Sequence, residues 1–121
     1  MPLVRVSNGG SSILNGKYYL ITNGSIAKSG DVSSSISLTS LSGSAIASAL
    51  LIDVSEYSSI NVKTNVSVFS PSIYGVTSDG VVEAGISSGS GTSQTADVTN
   101  YTTAIWMART DAMSTLTVTL S

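Results

Sequence analysis

Apolar and polar positions alternate most strictly over residues 60–68. Ile60, Val62, Thr64, Val66 and Val68 fall on one side, and Asn61, Lys63, Asn65, Ser67 and Phe69 on the other. A period of two belongs to an extended chain with one face buried, and it predicts a strand along the whole run. The same alternation predicts strands at 36–41 and at 115–120, where Leu116, Val118 and Leu120 interleave with Thr115, Thr117 and Thr119. Residues 103–109 also read as a strand, but Ile105, Trp106 and Met107 make it apolar on both faces. Such a strand is either covered on both sides within the chain or meets another subunit.

Turn chemistry divides the remainder. Asn8-Gly9, Asn15-Gly16 and Asn23-Gly24 crowd the first 24 residues. Asn-Gly is the preferred two-residue hairpin turn, so short strands at 3–6, 11–14 and 17–22, and a return through Ile26 and Ala27, form a meander. Asp79-Gly80 predicts a further hairpin between 73–76 and 81–86. Ser70-Pro71-Ser72 is expected to break the chain before that hairpin, and the Ser/Gly-rich run 87–93 to be a flexible loop. Residues 43–51 fit either two helical turns or a strand running into Asp53, and the strand reading is preferred because it feeds the motif described next.

One phrase is written twice. Asp53-Val54-Ser55-Glu56-Tyr57-Ser58-Ser59 returns 44 residues later as Asp97-Val98-Thr99-Asn100-Tyr101-Thr102-Thr103. Asp and Ser/Thr side chains bond to nearby backbone amides and so start turns. A Tyr shortly afterwards can bury its ring and keep its hydroxyl at the sheet edge. Each copy therefore predicts a corner by which the chain enters a strand, at two equivalent places. Two copies are too few for a solenoid or propeller. Eight or nine short antiparallel strands with no convincing long helix predict an all-β chain. The expected fold is a single domain over residues 1–121, a jelly-roll-like β-sandwich.

Composition narrows the function classes. A chain of 121 residues buries roughly 65% of its unfolded surface, enough for a real core. Only 10% of residues are charged and the net charge is −2. The five Lys and Arg, at 5, 17, 28, 63 and 109, are scattered. Nucleic-acid binding needs clustered cations to displace phosphate counterions, so no nucleic-acid partner is expected. The longest apolar run, 49–52, is far short of the ~20 residues that span a bilayer, and no membrane insertion is expected. The opening residues lack the apolar segment of a signal peptide. The surface is expected to be neutral and rich in hydroxyls, a composition that needs assembly or protected edges to avoid edge-to-edge aggregation.

Candidate chemistry is sparse. With no His and no Cys, the commonest bases, nucleophiles and transition-metal ligands are absent, and neither catalytic residues nor a cofactor nor a metal is expected. Asp53 and Asp97 are the two acids with related contexts, and a glycosidase would need such a pair to face one another. Calcium would require clustered oxygen ligands, and there is no Asp-x-Asp-x-Asp loop. The Gly-rich run 85–91 lacks the Lys of a phosphate-binding loop. Aromatic rings are the better lead, since sugars stack their apolar faces on them. Tyr18, Tyr19, Tyr74 and Trp106 are the candidate glycan-binding residues. Tyr18 and Tyr19 are adjacent in a strand, so one points in and one out. Trp106 fits a core, an interface or a sugar platform.

The order of these pieces resembles small tail proteins of phages and prophages of Gram-positive gut bacteria. The resemblance rests on Lys17-Tyr18-Tyr19-Leu20-Ile21 followed by Asn23-Gly24, and on the Ile52-to-Tyr57 corner. It continues through the second corner from Asp97 to Tyr101, then strand 104–109 and the terminal alternation 115–120. It implies a jelly-roll domain on a virion, similar to carbohydrate-binding modules, serving as a tail, baseplate or fibre component. The implied partners are further copies in a trimer or hexamer, other virion proteins, and a host cell-surface glycan. The implied location is the virion, after synthesis in the bacterial cytoplasm. A chain of this length opening on Met reads as a stand-alone protein rather than a module of a long fibre. A monomeric carbohydrate-binding module is the alternative.

Overall fold

The computed structural model describes residues 14–39, 41, 46–110 and 114–121. Within them eleven strands, all paired antiparallel, form two sheets. The strands are β1 (Lys17–Thr22), β2 (Ser25–Asp31), β3 (Ser35–Leu38), β4 (Ile46–Asp53), β5 (Ser59–Thr64), β6 (Phe69–Val76), β7 (Val82–Glu83), β8 (Ser87–Ser90), β9 (Ser93–Asp97), β10 (Thr103–Thr110) and β11 (Leu116–Leu120). One sheet has six strands in the order β2-β1-β4-β10-β6-β7, and the other five in the order β3-β11-β5-β9-β8. The protein is a β-sandwich.

Alternation decides what fills the space between the sheets. Leu20, Leu50, Ile52, Ile73, Ala104 and Trp106 come from the six-stranded sheet, and Ile60, Val62, Ala96, Leu116, Val118 and Leu120 from the other. Trp106 is 1% exposed and is the largest of the fully buried side chains. Local turn chemistry works as its residue types require. Asn23 and Gly24 both take positive φ, 48° and 83°, the geometry of a type I′ hairpin turn joining β1 to β2. The segment 46–51 is strand, which settles the helix-or-strand alternative for the described part of 43–51. The expected strand at 3–6 lies outside the described residues, as does that at 11–14 except for Leu14, which is in a turn.

Four expectations are corrected. The strand predicted over 60–68 stops at Thr64, whose hydroxyl turns back to donate to the Val66 carbonyl at 2.6 Å. Ser70-Pro71-Ser72 does not break the chain but lies inside β6. Proline is tolerated there because the pairing with β10 slips between Met107 and Arg109, so Pro71 sits where no ladder bond is needed; Ser70 takes φ 50° at the same bulge. The loop predicted at 87–93 contributes edge strand β8, hairpinned to β9, a strand that no alternation of apolar residues announced. The strand predicted at 81–86 is reduced to the two residues of β7.

Candidate functional site

The repeated phrase builds a double corner, and each copy carries its chain from one sheet to the other. Asp53 Oδ1 accepts from the Ser55 amide at 2.8 Å and the Ser55 hydroxyl at 2.6 Å. Asp97 Oδ1 accepts from the Thr99 amide at 2.9 Å and the Thr99 hydroxyl at 2.6 Å. The amides of Tyr57 and Tyr101 close the turns onto the carbonyls of Val54 and Val98, each at 3.0 Å. The two corners also clasp each other. The Val54 amide donates to the Thr102 carbonyl at 2.9 Å, and the Val98 amide to the Ser58 carbonyl at 2.8 Å. Those four residues are equivalent positions of the repeat, so the bonds are exchanged reciprocally. The strands keep the same relation: Asp53 pairs with Thr103 in one sheet and Asp97 with Ser59 in the other. The centre of the sandwich therefore has a pseudo-two-fold axis.

The carboxylates are held for this architecture. Asp97 is kept below its ordinary pKa, chiefly by the Thr99 hydroxyl and then by the Thr99 amide. Asp53 is nearly buried, and its Oδ2 accepts a further bond from the Gly16 amide at 2.6 Å. The two acids open into different clefts, Asp53 beside Asn15, Glu56 and Tyr57, and Asp97 beside Ser58, Ser88 and Thr95. They do not face one another across one cleft, which is the arrangement a glycoside hydrolase needs. Among the described residues no group of three or more acids is placed to hold a metal ion.

The aromatic candidates separate into two sets. Trp106 lies in the core and turns no ring face outward; as a sugar platform it is corrected, because its strand position points between the sheets. Tyr18 packs on the same core from β1, with its ring over Gly30 of β2. Tyr19 and Tyr74 are half-buried on the outer side of the six-stranded sheet. Register places them in one row: Tyr19 of β1 opposite Leu51 of β4, Leu51 opposite Ile105 of β10, and Ile105 opposite Tyr74 of β6. A second row holds Ile21, Ala49, Met107 and Ser72. Met107 is 45% exposed. Neither row contains an Asp, Glu, Lys or Arg. Charges stand at the margins, as the Lys17–Asp31 ion pair between β1 and β2 and as Arg109 of β10.

Sequence reasoning singled out the two-faced apolar character of β10 but missed Leu51 and Ile21 as its neighbours. Strand order, which brings β1 and β6 to flank β4 and β10, is not encoded in periodicity. No protein-family model, curated protein or solved structure matches the chain.

Proposed function

We propose that this protein is a structural and adhesive component of a phage particle, a tail, baseplate or fibre element, whose copies pack through the outer face of the six-stranded sheet. The observation that carries the reading is the uncharged double row centred on Leu51 and Ile105. A side chain lying on a rotation axis meets its own copies, so a charge on the axis would face a like charge. A neutral row of Tyr, Leu, Ile and Met satisfies that condition, and interface cores are depleted in charge and enriched in Tyr and Met. The occupant of the face is thus another copy of this chain. The virion setting rests on the sequence resemblance, and a trimer or hexamer suits the symmetry of such particles.

The test is solution mass by light scattering on a sizing column. The expected result is a trimer or hexamer for the unmodified protein and a folded monomer for Met107→Lys. A strictly monomeric protein at high concentration overturns the reading.

A monomeric carbohydrate-binding module is the second reading. It is favoured by Tyr19 and Tyr74 themselves, half-exposed on β1 and β6 with two strands between them. Three interstrand spacings put them roughly 14 Å apart, a span suited to several sugar rings. A monomer that binds a host-glycan panel, and loses binding in Tyr19→Ala and Tyr74→Ala, would replace the first reading with this one.

A further inference from the structure

The two corners are equivalent in backbone and unequal in what their tyrosines do. At the second corner the Tyr101 hydroxyl donates to Glu83 Oε1 at 2.7 Å, and the ring lies against Gly75 so closely that a Cβ there would meet it at 2.6 Å. At the first corner the Tyr57 ring rests on the core but its hydroxyl has no partner among the described residues. It lines a cleft of about 190 Å³ with Asn15, Val32, Asp53, Ser55 and Glu56. The side chains of Asn15 and Glu56 are likewise without a hydrogen-bond partner there. One corner has closed its polar groups on each other, and its counterpart leaves a carboxylate, an amide and a phenol lining one cleft without partners among the described residues.

We infer that this first-corner cleft is a binding site for a single neutral sugar ring or small polyol. The groups match that chemistry. Glu56 and the remaining lone pairs of Asp53 accept from ligand hydroxyls, Asn15 and Tyr57 both donate and accept, and Tyr57 with Val32 supplies an apolar wall. The size matches one ring, being below the roughly 300–1,000 Å³ of sites for drug-sized ligands. The floor is rigid, because Asp53 is fixed by Ser55 and by the Gly16 amide, so little ordering opposes binding. A divalent cation is the less suitable occupant. It takes 6–8 oxygen ligands, whereas the cleft has two carboxylates and Asp53 already accepts three hydrogen bonds.

The cleft adjoins the sheet face proposed for assembly, since Asp53 follows Leu51 by two residues on the same side of β4, and its test is a binding titration and not a measurement of mass. Amide resonances of the full chain are followed by nuclear magnetic resonance during titration with D-glucose, D-galactose, N-acetyl-D-glucosamine and L-rhamnose. The titration runs to about 50 mM, above the millimolar dissociation constants expected of so small a ligand. Saturable shifts at Gly16, Ser55, Glu56 and Tyr57 are expected with at least one sugar. Tyr57→Phe and Glu56→Gln are each expected to weaken binding about fivefold, the effect of one net hydrogen bond. Tyr101→Phe, altered at the equivalent position of the closed corner, is expected to leave affinity unchanged. The inference is overturned if none of the four sugars moves these amides. Equal affinity in Tyr57→Phe and Glu56→Gln overturns it too, as do shifts produced by calcium chloride alone.

Discussion

At the scale of single residues, hydrogen-bond satisfaction makes the sharpest predictions. Ser48 of β4 is 3% exposed and its hydroxyl finds no partner among the described residues. A buried hydroxyl without a partner keeps its desolvation cost, so Ser48→Ala is expected to raise unfolding free energy, by up to ~1 kcal/mol in chemical denaturation. Tyr101 is the reverse case. Its bond to Glu83, with some burial, raises the phenol pKa above the ordinary 10.0. The unfolded chain therefore loses that proton first, and the bond's stabilisation, complete below pH 10, is lost as pH rises through the folded pKa. Tyr101 is expected to contribute a late phase to the ultraviolet titration, and Tyr101→Phe to abolish it. Asp97 has the opposite sign. Its folded pKa lies below the ordinary 3.8, so its contribution is complete above that value and is lost as pH falls further. Asp97→Asn is expected to flatten the acid limb of stability against pH.

At the scale of elements, the close approach of Tyr101 to Gly75 joins the second corner to β6. Gly75→Ala places a methyl group against the ring and is expected to cost ~1–3 kcal/mol as overpacking, and to return the Tyr101 phenol toward its ordinary titration in the same absorbance measurement. Elements were readable from sequence wherever one physical signal acted alone. The alternation of Leu116, Val118 and Leu120 marks β11, and Asn23-Gly24 marks the first hairpin. The repeated Asp-Val-[Ser/Thr] phrase marks both corners. Reading failed where tertiary pairing outweighed local pattern. Pro71 is accommodated by a bulge whose existence depends on β10. Ser87–Ser90 is strand only because β9 lies beside it. Periodicity continued past Thr64, but the chain left the sheet when the Thr64 hydroxyl captured the Val66 carbonyl.

At the scale of the molecule, the neutral outer face and the open first corner adjoin along β4 and call for different partners. The aromatic residues most visible in the sequence did not share one role. Trp106 went to the core and Tyr18 to its rim, whereas Tyr19 and Tyr74 met on the outer face. Tyr57, at the first corner, was read only as part of a turn, because its contrast with Tyr101 becomes visible once both environments are known. Adding one lysine at Met107 is expected to separate assembly from folding: mass falls to that of a monomer with the thermal midpoint little changed.

The reciprocal clasp also sets the order in which a nascent chain can mature. Val54 needs the carbonyl of Thr102, and Val98 needs that of Ser58, so neither corner is complete until both have been synthesised. β4 can pair with β1 early, but its other edge waits for β10, some fifty residues further on. Long-range pairing of this kind folds slowly, on the order of milliseconds to seconds. Meanwhile Leu50, Leu51 and Ile52 sit beside an open strand edge, a state prone to sticking to its neighbours. The risk of aggregation is therefore concentrated in synthesis, before β10 closes the six-stranded sheet.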